Sequence, residues 1–303
     1  MSFSSDLKES LSKISNLANK EIVKYELIGY LISNNTIFQR GKISYSTASQ
    51  YNINRFNKLI SNLNILDFKI DLKGKIYTII LPKIENLNEI QYENKDIVLS
   101  NTIIEELKNT DISKENQDIY VKSLIRGIFL GSGSVNNPEN KYHLEIILST
   151  KQNAEIIKEL LDKLEIKMKL LERKSGYSLY IKDADEISKF LAFIGANSAV
   201  LKFEEIRVIR DMKNNINRKV NCETANITKT INAAVKQIDA IKKLKKTGKF
   251  ENLSDSLKEI AELRLENPDA SLIELGEMLK NPIGKSGVNH RLKQIEELAK
   301  WKN

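Results

Sequence analysis

The side chains best suited to reading a nucleic acid lie close together near the C-terminus. The candidates are Lys285, Ser286, Asn289, His290, Arg291 and Lys293. Asn can pair bidentately with adenine in the major groove, and Lys or Arg can pair with guanine or phosphate. Because Asn289 and Lys293 are four residues apart, a helix would place both on one face. The run therefore predicts a helix that contacts base edges.

A second group of cations precedes this run and suits a different contact. Its members are Lys242, Lys243, Lys245 and Lys246. Residues 201–250 hold 13 Lys and Arg against 5 Asp and Glu, so this segment accounts for the net charge of +8 of the whole chain. Long flexible cationic side chains suit phosphates better than bases. We expect this segment to supply DNA affinity, with a solvated helix face as the alternative.

Three predicted helices must position the C-terminal run. They cover residues 256–265, 272–279 and 287–301. Ser271 and Glu274 have the spacing of a capping box at the start of the second helix. Ser286 is expected to cap the third, whose inward face is predicted as Val288, Leu292, Ile295 and Leu298. A short helix, a tight turn and a third helix are typical of a helix-turn-helix.

The basic segment ahead of these helices is itself predicted to be helical. Two helices are expected, over 201–212 and 223–244. The second is predicted to place five apolar residues inward, namely Ile227, Ile231, Ala234, Ile238 and Ile241. Gly248 is expected to end it.

The first 200 residues show one pattern of helices and strands twice. Residues 119–194 follow the order α-β-α-β-β-α, and residues 20–81 form a weaker copy. Short strands alternating with helices predict an α+β fold, and the repetition predicts pseudo-twofold symmetry. Residues 83–118 are polar and poorly patterned, so we interpret them as the connector between the copies.

The apolar helix of each copy carries a recognisable motif. The run 125–135 resembles the signature helix of LAGLIDADG homing endonucleases, and residues 23–32 form its counterpart. In that family two such helices pack across a pseudo-twofold axis, where small residues permit close approach. Gly127, Gly131 and Gly133 would serve that purpose.

Longer strings extend the resemblance over nearly the whole chain. Residues 131–138, 203–212, 217–226 and 285–292 are similar to the WhiA family of bacterial regulators. That resemblance implies a pseudo-twofold LAGLIDADG-like domain followed by an all-α helix-turn-helix domain. It also implies a DNA-binding protein of cell division and chromosome segregation, with transcriptional regulation in some lineages. The expected divisions are residues 1–115, 116–200, 201–250 and 251–303, for the first repeat with its connector, the second repeat, the basic linker and the helix-turn-helix.

Nuclease chemistry is not expected from the signature helices. The homing endonucleases hold catalytic metal ions with one carboxylate at the end of each helix, but the equivalent positions here are Ser132 and Asn34. Neither side chain replaces a metal-bridging carboxylate. Two histidines and a single cysteine, Cys222, cannot form a structural zinc site. No catalytic residue, metal or cofactor is therefore predicted.

Double-stranded DNA is accordingly the predicted partner. The alternative is an interaction scaffold whose C-terminal helices bind RNA polymerase, a sigma factor or a division protein. No stretch approaches the roughly 20 apolar residues of a membrane span, and the N-terminus lacks the pattern of a signal peptide. We expect a cytoplasmic, nucleoid-associated protein. The sequence leaves its oligomeric state open.

Overall fold

The computed structural model describes residues 2–109 and 118–300. These residues form two compact units, one ending at Arg210 and the other beginning at Asp211, here called the first and second units. The helices are α1 (Phe3–Ser12), α2 (Lys20–Leu31), α3 (Gln50–Asn62), α4 (Asn101–Asn109), α5 (Asp118–Ser132), α6 (Lys151–Lys163), α7 (Ala184–Phe193), α8 (Asn197–Lys246), α9 (Asp255–Glu266), α10 (Leu272–Glu277) and α11 (Lys285–Lys300). The strands are β1 (Thr36–Gln39), β2 (Lys42–Thr47), β3 (Lys69–Lys73), β4 (Ile76–Pro82), β5 (Ile90–Glu93), β6 (Asp96–Leu99), β7 (Ser134–Val135), β8 (Leu144–Leu148), β9 (Lys169–Arg173) and β10 (Gly176–Ile181).

The two signature helices, α2 and α5, form the centre of the first unit. A Cβ built on Gly29 would overlap the carbonyl oxygen of Leu124, and one built on Gly127 would overlap that of Glu26. The two backbones can approach this closely because neither glycine has a side chain. Gly131 likewise faces Ser33 of the opposite copy. The expectation for Gly133 is wrong, because its neighbour is Phe129 of its own copy.

Each signature helix is followed by a four-stranded antiparallel sheet. The strand orders, β1-β2-β4-β3 and β7-β8-β10-β9, are equivalent, and β7 is the additional strand that the sequence pattern did not resolve. Side chains along β8 alternate between buried and half-buried, as expected for a sheet with one face on the core. The predicted α+β fold with pseudo-twofold repetition is confirmed.

The segment interpreted as a plain connector contains regular structure. Strands β5 and β6 form a hairpin and α4 follows it. Leu99, Ile103 and Leu107 are buried in the main hydrophobic core. The strands are four residues long, too short for a clear alternation of apolar and polar side chains. Residues 110–117 of the predicted connector lie outside the described residues.

A buried ion-pair network links three helices of the first unit. Arg55 of α3 donates to both carboxylate oxygens of Glu26 on α2, at 2.7 and 2.9 Å. Arg126 of α5 lies 3.5 Å from the same carboxylate. All three side chains are at most 6% exposed. Burial lowers the pKa of the Arg126 guanidinium, while Glu26 opposes this shift.

The basic segment forms one helix, α8, instead of the two predicted. Nothing interrupts it because residues 213–222 contain neither Gly nor Pro. Ala234 and Ile241 are buried as predicted, but Ile227 is 60% exposed and Ile231 55% exposed. The inward assignment of these two isoleucines is therefore wrong. The core of the second unit covers α8 only near its C-terminal end, where Ile241 and Leu244 join the cluster.

Candidate nucleic-acid interface

Helices α9, α10 and α11 form the three-helix arrangement predicted for the C-terminus. Leu275, Val288, Leu292 and Ile295 share one hydrophobic cluster with Ile241 of α8. The capping box is present, because the Ser271 hydroxyl accepts from the Glu274 backbone N–H at 3.3 Å and the Glu274 carboxylate accepts from the Ser271 N–H at 2.6 Å. This backbone hydrogen bond holds the pKa of Glu274 below its usual range. The start of α10 is thus fixed by local hydrogen bonds.

The turn between α10 and α11 depends on a glycine that the sequence analysis did not single out. A Cβ on Gly276 would overlap the carbonyl oxygen of Ile283, and the Ile283 N–H donates to the Gly276 carbonyl at 3.1 Å. The turn therefore packs directly on the backbone of α10. In the sequence, a glycine near the end of a short predicted helix was the signal that could have indicated this close contact.

A buried arginine, also missed, supports the other loop of the unit. Arg264 is 2% exposed and donates to the Ala270 carbonyl at 2.7 Å, so it joins the end of α9 to the start of α10. Its burial lowers the pKa of the guanidinium. Its position at the end of a helix, where cations satisfy free carbonyls, was the only hint in the sequence.

Two details of α11 differ from expectation. The helix begins at Lys285, and Gly284 supplies the carbonyl that accepts from the Gly287 and Val288 N–H groups, so Ser286 lies within the first turn and is not the cap. Leu298 is 43% exposed and Ala299 is buried instead. At ~100° per residue, Ala299 continues the row of Val288, Leu292 and Ile295, whereas Leu298 falls outside it. The predicted end at Trp301 lies outside the described residues.

The predicted base-contacting residues of α11 do not share one face. Lys285, Ser286, His290 and Lys293 are exposed, whereas Asn289 and Arg291 are half-buried. Asn289 lies on the same side of the helix as Lys293, as expected from their spacing. Arg291 lies on the opposite flank, two residues from Asn289 and therefore ~200° around the helix. The structure therefore brings Asn289 and Lys293 together and separates Arg291 from them.

Two of these residues line a cationic cleft within the second unit. The cleft has a volume of about 260 Å³, and Lys285, Asn289, Arg264 and Lys229 are among its lining residues. Among the residues that the structure describes, no acidic side chain lines it. An anionic ligand at its mouth would therefore meet positive charge beside an amide that can both donate and accept.

The lysines at the end of α8 occupy a well-defined helix terminus. Lys242, Lys243, Lys245 and Lys246 are exposed, and Gly248, with φ of 71°, ends the helix in the left-handed conformation. The Nζ of Lys245 lies 4.7 Å from the centroid of the Phe250 ring. Buried Ile241 and Leu244 anchor this end of α8 in the core of the second unit. Cations here also complement the negative end of the helix dipole.

Ser132 and Asn34, which we expect to correspond to the endonuclease carboxylates, bond to the same carbonyl oxygen. The Ser132 hydroxyl donates to the Ile147 carbonyl at 2.5 Å, and the Asn34 backbone N–H donates to the same oxygen at 3.1 Å. The Asn34 bond joins the two copies, whereas the Ser132 bond lies within the second copy. Within the described residues, no group of three or more His, Cys, Asp and Glu side chains could hold a metal ion. In the same part of the chain, no helix has the length and apolarity required to cross a membrane.

Comparisons with known proteins agree with this architecture. Residues 121–213 match the model of the WhiA LAGLIDADG-like domain, and residues 216–299 match that of the WhiA C-terminal HTH domain. A Clostridium tetani protein named probable cell division protein WhiA is 38% identical over 322 residues, which cover 99% of this chain and 97% of the relative. A Desulfitobacterium hafniense protein of the same name is 39% identical, covering 99% and 96%. The crystal structure of full-length DUF199/WhiA from Thermotoga maritima superposes with a TM-score of 0.59 at 28% identity, covering 99% and 98%. The chain belongs to the WhiA family.

Proposed function

We propose that this protein is a non-catalytic, sequence-reading DNA-binding protein of cell division and chromosome segregation, with transcriptional regulation as a further role in some lineages. The observation that carries the proposal is the cationic cleft in which Lys285 and Asn289 lie at the start of α11. The second helix of a helix-turn-helix contacts bases through its N-terminal residues. The names of the relatives support the cell-division role.

The proposal assigns different contacts to the two groups of residues. Asn289 and Lys293 would contact base edges, with Lys285, Ser286, His290 and Arg291 beside them. Lys242, Lys243, Lys245 and Lys246 would contact phosphates. Base contacts determine sequence preference, whereas phosphate contacts contribute affinity to every duplex.

Mutants of the two groups are therefore expected to fail differently. Asn289→Ala should cost about 1–3 kcal/mol on a preferred duplex, obtained by selection from random sequence, and little on a scrambled one. Gln294→Ala, also exposed on α11, is the matched control and should change neither affinity. An equal loss of affinity for both duplexes would show that α11 contacts phosphates and not bases.

The lysines of α8 are tested by the dependence of binding on salt. Replacing Lys242 and Lys243 by Ala should weaken both duplexes by similar factors and flatten the salt slope by about two units. Replacing Lys13 and Lys20, both exposed in the first unit, alters the net charge equally and should leave the slope unchanged. An unchanged salt slope in the α8 variant would show that Lys242 and Lys243 do not contact DNA.

We also propose that the protein does not cleave DNA. Supercoiled plasmid should survive prolonged incubation with Mg²⁺ or Mn²⁺, because Ser132 and Asn34 provide no carboxylate at the helix ends. Metal-dependent nicking that disappears in Ser132→Ala would contradict this proposal.

A second candidate function is an interaction scaffold that binds RNA polymerase or its sigma factor. Exposed apolar side chains on one face of α8 favour it, namely Met212, Ile216, Val220, Ile227 and Ile231. Purified polymerase holoenzyme should bind the full chain and lose affinity for Ile216→Asp with Ile227→Asp, but not for Asn221→Asp on another face. Unchanged binding of the double variant would exclude this face as the contact.

The proposed location is the cytoplasm, in association with the nucleoid. A fluorescent fusion should coincide with stained DNA in live cells and become diffuse when both Asn289 and Lys242 are replaced by Ala. Diffuse signal from the unmodified fusion would contradict the proposal.

A further inference from the structure

The first unit contains a polar cleft that the proposed function does not use. Its volume is about 480 Å³, and it is lined by residues of α1, by the start of α3, and by Asn35 and Gly131 near the ends of the signature helices. Of its twelve lining residues within 2–109 and 118–300, ten carry a hydroxyl, amide or ammonium group and none is acidic. The size is within the range of small-molecule sites.

Lys8 is the cationic residue of this cleft. Its Nζ donates to the Leu130 carbonyl at 3.3 Å and lies 5.7 Å from the centroid of the Phe129 ring. No carboxylate pairs with Lys8 in residues 2–109 and 118–300. Desolvation lowers the pKa of its ammonium to about 8. A desolvated cation without a counter-charge is stabilised by an anion placed beside it.

The hydroxyl groups of the cleft are arranged to donate hydrogen bonds. Ser2 accepts from the Ser5 N–H at 3.2 Å, Ser4 from the Val135 N–H at 3.2 Å, and Ser49 from the Asn52 N–H at 3.4 Å. Since these oxygens act as acceptors, their O–H groups remain available for a ligand. The lining therefore offers several donors around Lys8.

The backbone around the cleft also favours an anion. Helices α1 and α3 both begin at its edge, so the positive ends of two helix dipoles lie there. At the opposing end of α5, the Leu130 carbonyl also accepts from Asn52 and the Gly131 carbonyl accepts from Asn35, both at 2.7 Å, so neither carbonyl faces the cleft without a donor.

We propose that this cleft binds the phosphate group of a small phosphorylated molecule. Lys8 provides the charge, and the hydroxyls of Ser2, Ser4 and Ser49 donate to the phosphate oxygens. Such charge-assisted hydrogen bonds are about twice as strong as neutral ones. The site is separate from the residues proposed to contact DNA and does not depend on that proposal.

Calorimetric titration of the full chain with pyrophosphate, at fixed ionic strength, tests the site. Saturable binding is expected for the unmodified protein, with affinity about tenfold to a hundredfold lower in Lys8→Met. Lys13→Met is the matched control, because Lys13 lies just beyond the same helix and pairs with Glu9 at the surface. Absence of saturable binding, or equal affinity in Lys8→Met, would overturn the proposal.

Two further measurements test the site if Lys8→Met does not fold and test whether DNA is the ligand instead. If Lys8→Met does not fold, amide NMR shifts of residues 2–8 and 49–52 in the unmodified protein should still move on adding pyrophosphate; unmoved shifts there overturn the proposal. Saturating duplex DNA should leave pyrophosphate affinity unchanged. Displacement by DNA would make the cleft a contact for backbone phosphate and overturn the assignment to a small ligand.

Discussion

Replacing Glu26 by Gln is expected to lower the free energy of unfolding of the first unit by about 3–5 kcal/mol. Glu26 is fully buried and accepts two hydrogen bonds from Arg55, and Arg126 lies 3.5 Å away. The substitution keeps the shape of the side chain but leaves two guanidinium groups without their buried counter-charge. Removing one partner of such a network leaves an uncompensated desolvation cost.

The magnitude is moderated by hydrogen bonds that do not involve Glu26. Arg55 also donates to the Ile14 carbonyl at 2.8 Å, and Arg126 donates to the Ile194 carbonyl at 2.9 Å. Both guanidinium groups therefore keep polar partners, but no negative charge. Against a typical domain stability of about 5–15 kcal/mol, the loss is large enough to shift the denaturation midpoint clearly.

Urea denaturation followed by tyrosine signals is the appropriate assay. All ten tyrosines precede Arg210, so their near-ultraviolet signals report on the first unit alone. Glu9→Gln is the matched control, since Glu9 pairs with Lys13 at the surface, where such pairs contribute about 0–1 kcal/mol. A loss below about 1 kcal/mol in Glu26→Gln would refute the claim that this network is desolvated.

Two further predictions concern backbone packing and helix capping. Gly127→Ala should destabilise the first unit by about 1–3 kcal/mol or more, because the added Cβ overlaps the Glu26 carbonyl; urea midpoints equal to those of the unmodified protein would contradict the close approach of the helices. Ser271→Ala should cost the second unit about 1 kcal/mol by removing the capping box, whereas Ser254→Ala should cost less, because the Ser254 side chain makes no capping hydrogen bond to the backbone of α9. Equal thermal shifts in the two variants would argue against the role of the box.

Local sequence signals were sufficient to predict helices α9, α10 and α11 of the second unit. Ser271 and Glu274 predicted the capping box because that motif depends on residues three apart and on little else. The row of Val288, Leu292 and Ile295 predicted the buried face of α11, because apolar residues at spacings of three and four lie on one side of a helix. Leu298 was wrongly assigned to the buried face of α11. Its hydrophobic side chain lies beside the row of buried residues, and the sequence alone does not show where the buried face ends.

Tertiary packing decided the features that involve distant residues. The position of Arg264 at a helix end does not specify that its side chain reaches the Ala270 carbonyl, and nothing near Lys8 in the sequence indicates its proximity to Leu130. Such contacts depend on how elements are placed in space, which residue spacing along one helix does not encode.

The sequence by itself determined the repeat, the helix-turn-helix and the concentration of positive charge, because each follows from periodicity, turn residues or composition within a short window. Only the tertiary structure decided which apolar faces become core. On α8, Ile227 and Ile241 have equivalent positions in one hydrophobic pattern, yet Ile227 is 60% exposed and Ile241 is buried. The difference arises because the hydrophobic core shared with α9, α10 and α11 includes Ile241 of α8 but not Ile227. Burial requires a neighbouring element as well as an apolar side chain.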